Sequence, residues 1–483
     1  MNILLAKLGN ILTNSLTRYH LVCMLLTLTM LLTSCTTTSL KPALAFNPDP
    51  AANIYWAAFL QQSNNKSPYN KILGVSGFDQ NGVHVKGPIY PLGKSNYVMI
   101  NRPAIAFSTK SKVFMVAGAE LVAKLGGGTY NRIATRFFDS NGKLLKNVSY
   151  LFDDKSSLMN ISPPQSLDVG SVRIAYNSLL DEFLVTAQRT VFDPKQLQTS
   201  KNGIWAQRIS YNKGLLGNPV ELVDMGLMNV NSHSIAFAPI AGTAPSGGRY
   251  LLSYAMVSAL LLDSQAKLIT NVPLNLGLPS GDHAQPDVAF GVISGKPQFL
   301  LVYGDGNNQY CSFGTQPCPA WSGVWGTYID PKKTSYVTGA DNNPFPISKI
   351  TQHIANKYSY QARVDYNTAK QTFFVVWREL PVPTIKADET RTHIRGNKVD
   401  YYVGDGDVTK SGIKEPYVNI VISPVTGSCA ASPPNVYCPS VEDPNFPDVQ
   451  GLNGNKVAVY WQENDKVKAN ATHKVIGKVV IIP

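Results

Sequence analysis

Three aspartates, Asp287, Asp365 and Asp448, sit at related places in short runs of similar pattern: Pro286-Asp-Val-Ala-Phe290, Ala362-Arg-Val-Asp-Tyr366 and Phe446-Pro-Asp-Val-Gln450. If such runs line one channel, their carboxyls converge. Convergent carboxyls are what glycoside cleavage requires, one as proton donor and another as nucleophile or base. The plainer role for the same groups is the polar lining of a water-filled channel. His233 and His283 stand at or just before the start of runs of this kind and are candidates for a channel rim, or else loop histidines bonded to local backbone. Neither H-E-x-x-H nor G-x-S-x-G occurs, and Gly74-Val-Ser76-Gly77 is only a strand with small residues. Asp405 and Asp407, in Gly404-Asp-Gly-Asp407, follow Asp388, Glu389 and Asp400 in the most acidic stretch and are weak calcium candidates. Tight-turn chemistry explains them equally well, so no metal or other cofactor is assigned.

The runs belong to a repeat. Six segments place an aliphatic residue before a small or acidic one, usually followed by an aromatic. Besides the three above they are Pro103-Ala-Ile-Ala-Phe107, Val172-Arg-Ile-Ala-Tyr176 and His233-Ser-Ile-Ala-Phe237. Each precedes a second hydrophobic run, at 113–117, 183–187, 250–254, 299–303, 373–377 and 457–461. The offset is nine residues for Ile105 to Phe114, Ile174 to Phe183 and Val364 to Phe373, and a fixed offset between strand-like runs marks a repeated hairpin. A third run and a tight turn come next, as in Ile133 to Phe138 before Asp139-Ser-Asn-Gly142, where Asn-Gly tolerates the positive φ of a short hairpin.

Three strands, a turn and a fourth strand, recurring every 50–85 residues or so, describe the blades of a β-propeller. Such blades are apolar on both faces and bury them only against one another. We therefore expect an all-β chain forming a single β-propeller over 53–483, with loop insertions near 305–322 and 380–415. Seven blades are favoured. Six result if the first unit, whose earliest visible strand is Tyr55 to Phe59, merges with the short last one. A sandwich or tandem β domains is the competing architecture. The layout resembles that of bacterial secreted β-propellers, a structural resemblance that specifies no chemistry. The S-x-D-x-G-x-T-W box of sialidases, the G-H and W-D pairs of WD40 blades and the kelch double glycine are missing.

Residues 1–34 carry Lys7 and Arg18, no acid, and an apolar run of 12 residues from Leu21 to Leu32, too short to span a bilayer and suited to a signal peptide. Leu32-Thr33-Ser34-Cys35 resembles the lipobox of bacterial lipoproteins. The resemblance implies cleavage before Cys35, its modification by diacylglycerol and palmitate-type acyl chains, and a tether over 35–52. Thr36, where an aspartate would favour the inner membrane, implies the outer membrane. The alternative is cleavage after Ala43-Leu44-Ala45, giving a periplasmic or secreted protein.

Cys311, Cys318, Cys429 and Cys438 form two local pairs in turn-rich stretches, as expected of loop disulfides in an oxidising compartment. Each closes a short loop, a gain of about 2–3 kcal/mol. A shared zinc site would need spacings these pairs lack.

Composition agrees. Of 483 residues, 44% are hydrophobic and 15% charged, with 18 Phe, 23 Tyr and 6 Trp, which excludes a disordered chain and a coiled coil. Loss of Lys7 and Arg18 with the leader lowers the formal charge from +12 to +10. The remaining cations are scattered rather than striped, which argues against nucleic acid and leaves anionic envelope polymers as partners. The expected function is a lipid-anchored module binding an envelope protein or glycan. A glycan-active hydrolase or lyase using channel carboxylates, and a structural subunit of an outer-membrane assembly, are the alternatives.

Overall fold

In the computed structural model, the residues described are 39–62, 71–93, 98–99, 102–123, 129–152, 168–192, 200–226, 232–240, 247–254, 258–272, 286–305, 323–336, 344–348, 358–380, 393–399, 420–422, 442–465 and 472–482. They form seven antiparallel sheets, each from consecutive strands. The first contains β1 (Ser39–Phe46), β2 (Ile54–Gln62), β3 (Lys71–Asp79) and β4 (His84–Ile89). The second contains β5 (Val98–Met99), β6 (Ala104–Ser108), β7 (Val113–Ala123), β8 (Thr129–Asp139) and β9 (Ser149–Leu151). The third runs β10 (Asp168–Asn177), β11 (Glu182–Phe192), β12 (Ser200–Ser210), β13 (Gly214–Gly226). The fourth runs β14 (His233–Ala238), β15 (Arg249–Tyr254), β16 (Ser258–Asp263), β17 (Leu268–Val272). The fifth comprises β18 (Asp287–Ile293), β19 (Lys296–Asp305), β20 (Gly323–Ile329) and β21 (Phe345–Pro346), and the sixth β22 (Tyr358–Asn367), β23 (Thr372–Leu380), β24 (His393–Val399) and β25 (Ile420–Val421). The seventh has three strands, β26 (Glu442–Gly451), β27 (Lys456–Asp465) and β28 (Thr472–Ile481).

The chain is an all-β, seven-bladed propeller. Second strands are buried on successive residues, as strands covered on both faces must be: Phe299 to Tyr303 in β19 and Phe373 to Trp377 in β23 are wholly buried. The apolar material divides into seven clusters, and each joins two neighbouring blades. Phe114 and Phe138 pack on Trp56 between the first and second, and Phe373 and Trp377 meet Leu300 and Val302 between the fifth and sixth. The cluster between the seventh and first, formed by Leu44, Tyr55, Ala57, Leu452, Ala458 and Tyr460, closes the ring.

Among the described residues, closure uses no exchanged strand. The first blade owns its inner strand, β1, which lies within the segment 35–52 expected to be a tether and supplies the strand that the sequence pattern left missing. Lys41 and Pro42 interrupt the apolar pattern there, and the pairing of β1 with β2 shifts register between Leu40 and Ala43, so the segment lacks the regular signature of a strand. Both end units are thus complete enough to stand alone, and six blades is excluded. The insertions near 305–322 and 380–415 fall mainly on residues outside those described, as do the leader, Cys35 and all four paired cysteines.

Candidate functional site

The innermost strands of all seven blades surround a cavity of about 460 Å³. Its polar lining is built from equivalent points of the repeated runs. Asp287 begins β18, Ser234 is the second residue of β14, and Arg173, Arg363 and Asp448 lie inside β10, β22 and β26. Arg102 enters from the break between β5 and β6.

Strand irregularities aim these side chains. The pairing of β10 shifts between Val169 and Val172, of β22 between Tyr360 and Arg363, and of β26 between Asn445 and Asp448. The pleat resumes at or one residue before Arg173, Arg363 and Asp448. A bulge adds a residue to one strand and bends the strand beyond it, which is how barrel rims and active sites redirect a side chain. In β22 the extra residue Gln361 takes φ +59°, a left-handed conformation held by the surrounding sheet.

Each aspartate reaches across a blade boundary. Asp287 Oδ1 accepts from Ser234 Oγ at 2.5 Å, and its Oδ2 accepts from the Val364 backbone N–H at 2.9 Å. Asp448 Oδ2 accepts from the Leu44 N–H at 2.8 Å, while Oδ1 pairs with an Arg102 guanidinium nitrogen at 2.5 Å. Asp365 Oδ2 accepts from the Gly451 N–H at 2.6 Å and from Gln450 Nε2 at 2.7 Å. The carboxylates therefore tie the fourth blade to the fifth, fifth to sixth, sixth to seventh and seventh to first.

Burial and mutual charge set their protonation. Desolvation pushes the Asp365 carboxyl up to about 7, against the Gly451 and Tyr366 N–H groups that lower it and with the charges of Asp448 and Asp287 adding to the rise. Burial also raises Asp448, opposed by Arg102 and Arg363. Arg173 is lowered to about 9 by burial and then by repulsion from Arg363 and Arg102, and Arg363 to about 10 by burial and Arg102, so both stay cationic at neutral pH. Arg102 also donates through Nε to the Pro42 carbonyl at 2.8 Å. Arg173 and Arg363 each donate one bond to the carbonyl of the preceding residue, at 3.1 and 2.9 Å, and Arg363 Nε is buried with no hydrogen-bond partner.

Of the sequence-chosen residues, Asp287, Asp365 and Asp448 line this cavity together. His233 does not. It is fully buried between β14 and β11, with Nε2 3.0 Å from Thr186 Oγ1 and Nδ1 without a partner, and burial together with the nearby Arg173 charge lowers it to about 3. A position at the start of a run gives the strand but not which side of it the ring faces. His283, Asp405 and Asp407 lie outside the described residues. The described residues contain no group of three or more His, Cys, Asp or Glu able to hold a metal. Arg102, Arg173, Arg363 and Ser234 were missed, although Val172-Arg-Ile-Ala and Ala362-Arg-Val-Asp place two of the arginines where Asp287 and Asp448 stand in their own runs.

No protein-family model and no curated protein matches the chain. Solved structures do resemble it. A protein of unknown function from Dyadobacter fermentans aligns over 93% of this chain and 96% of its own at 10% identity and a TM-score of 0.45. An α-L-arabinanase from Penicillium chrysogenum, complexed with arabinobiose, aligns over 93% and 98% at 10% identity and a TM-score of 0.42. A Trypanosoma rangeli sialidase complexed with sialic acid aligns over 74% of this chain and 54% of its own at 8% identity and a TM-score of 0.40. The seven sheets themselves define the fold.

Proposed function

We propose that the protein is a glycan-active hydrolase of the cell envelope, with the axial cavity as its site. The observation that carries this reading is Asp365: a carboxyl raised to about 7, in a polar cavity of ligand size, electrostatically coupled to two further carboxyls. A group of that kind is half protonated at neutral pH and suits the general acid of glycoside cleavage. Its Oδ2 already takes two donors, which leaves Oδ1 to carry the proton. In the reaction Asp365 protonates the leaving glycosidic oxygen, the anomeric C–O bond breaks, and water adds with Asp448 or Asp287 as base or nucleophile.

The test is release of new reducing ends from peptidoglycan and from lipopolysaccharide oligosaccharide between pH 5 and 7. Wild type should release them and Asp365→Asn should lose at least about 100-fold in rate, as expected when a general acid is removed. No release by wild type from either polymer would overturn the hydrolase.

A non-catalytic binding module is the second reading, favoured by the commitment of all three aspartates to bonds between blades. Retention of glycan without cleavage would mark it. Attachment to the outer membrane through Cys35 is part of the proposal, supported by Leu32-Thr33-Ser34-Cys35. Cys35→Ala should free the protein from membranes, and unchanged sedimentation with them would remove the anchor. Loop disulfides Cys311 to Cys318 and Cys429 to Cys438 complete it; four alkylatable thiols in native material would refute them.

A further inference from the structure

The cavity holds more positive charge than the aspartates neutralise locally. Arg102 has a carboxylate partner in Asp448. Arg173 and Arg363 have none within ion-pair distance among the described residues, and each uses one of its five N–H donors on a neighbouring carbonyl. Arg363 is 5% exposed, yet its Nε has no hydrogen-bond partner. A buried donor left unmade is destabilising, more so for a charged group, and a charged group gains most from an ionised acceptor.

The Arg363 charge, after burial, lowers the affinity of Arg173 for its proton, and burial together with the Arg102 charge does the same to Arg363. An anion placed between Arg173 and Arg363 relieves both penalties. With Asp365 protonated, the three arginines and three aspartates sum formally to +1, so a monoanion neutralises the set. Guanidinium forks match the planar carboxylate in geometry, and bidentate pairing adds direction to charge.

We propose that Arg173 and Arg363 form a carboxylate-binding subsite in the axial cavity, so that the saccharide bound there carries a carboxylate, as a uronic acid does. This rests on the reading of the cavity as a glycan site. Arg102, held by Asp448 and Pro42, contributes field rather than a free fork. Ser234, between Arg173 and Asp287 in blade order, completes the polar wall through its bond to Asp287. The ligand's ring then lies against the carboxyl of Asp365, the neighbour of Arg363 but one in β22.

Calorimetric titration with methyl glucuronide and methyl glucoside, which differ in the carboxylate, tests this without turnover. The glucuronide should bind about 10-fold or more tightly, a ratio that charged hydrogen bonds supply, and the difference should shrink as salt rises. Acetate and inorganic phosphate separate sugar acid from simple anion: either one binding as tightly as the glucuronide overturns a saccharide subsite. Arg173→Gln and Arg363→Gln should each remove most of the glucuronide preference. Two arginine variants are used because burial of Arg363 makes its replacement the greater risk to folding; thermal melting identifies a variant that fails to fold, and the other then carries the test.

Equal binding of the matched glycosides by wild type would sink the proposal. Asp365→Asn separates it from the hydrolase: that variant should still prefer the glucuronide. Glucuronide preference without cleavage of any glycan leaves the subsite standing and the hydrolase not; cleavage restricted to neutral glycans does the reverse.

Discussion

The Asp448 carboxylate takes the Leu44 backbone N–H at 2.8 Å and the Arg102 guanidinium at 2.5 Å, so one side chain of the last blade holds both the first and the second. Arg102 is 9% exposed at its side chain and Asp448 17%. Removing one partner of such a pair leaves the other as an uncompensated buried charge, at a cost of about 3–5 kcal/mol. Asp448→Ala should lower the free energy of urea unfolding by about that amount, and Asp448→Asn, which keeps an acceptor for Leu44, by less. An Asp448→Asn variant as stable as wild type would show that the charge on Asp448 contributes nothing, and equal losses in the two variants would show the same of the bond to Leu44.

Asp365 and His233 should give the propeller opposite pH trends. Asp365 is raised in the fold to about 7 from an ordinary 3.8, so the unfolded chain gives up this proton first. Its contribution is fully present at and below the unfolded value near pH 4 and is lost as pH rises to about 7, by a few kcal/mol at most. His233 is lowered to about 3 from 6.5, so its contribution is present above pH 6.5 and is lost as pH falls towards 3. Denaturant unfolding from pH 4 to 8 should show Asp365→Asn removing part of the alkaline decline and His233→Gln part of the acid one. Parallel shifts of the whole curve in both variants would contradict the assignments.

Tyr55 and Tyr460 meet at the closing seam with hydroxyls 3.2 Å apart, both buried, and Phe78 packs on both rings. Either tyrosine replaced by phenylalanine leaves the other hydroxyl without this partner, at about 1–2 kcal/mol. The double replacement should be less destabilising than the two singles added together. A double-mutant cycle with no coupling energy would show that the hydroxyls do not interact.

Gly451 is required by its surroundings rather than by its φ. A Cβ there would lie 2.4 Å from the Tyr366 carbonyl oxygen and 3.0 Å from its carbon, backbone atoms that no rotamer change can move. Gly451→Ala should push the sixth and seventh blades apart and lengthen the N–H bond to Asp365. We expect a loss of about 2 kcal/mol or more in stability, together with a shifted pH dependence of any cavity-based activity. Unchanged unfolding and pH profile in the variant would contradict this close approach.

Much of the propeller was legible because its second strands announce themselves. Phe373-Phe-Val-Val-Trp377 is apolar on every residue, which a strand with a solvated face cannot be, and the nine-residue offset ties such a run to its inner strand. β1 was not legible because Lys41 and Pro42 break its pattern beside a leader of similar composition. The three aspartates were found through the repeat itself. The arginines were not, since an arginine within a strand ordinarily marks a solvated face, and only the ring brings Arg102, Arg173 and Arg363 together. Residues 102 and 363 are distant in sequence, and no local pattern links them.

The seven sheets differ in what they must wait for. Each is assembled from consecutive strands, so blades can form in order as the chain is made, each new one covering its predecessor. The exception is the exposed flank of the first. Leu44, Tyr55 and Ala57 stay uncovered until Leu452, Ala458 and Tyr460 arrive, Tyr460 some 405 residues after Tyr55. Until residues 452–460 are made, the propeller can be only an open arc with an apolar edge, and its seventh blade turns that arc into a ring.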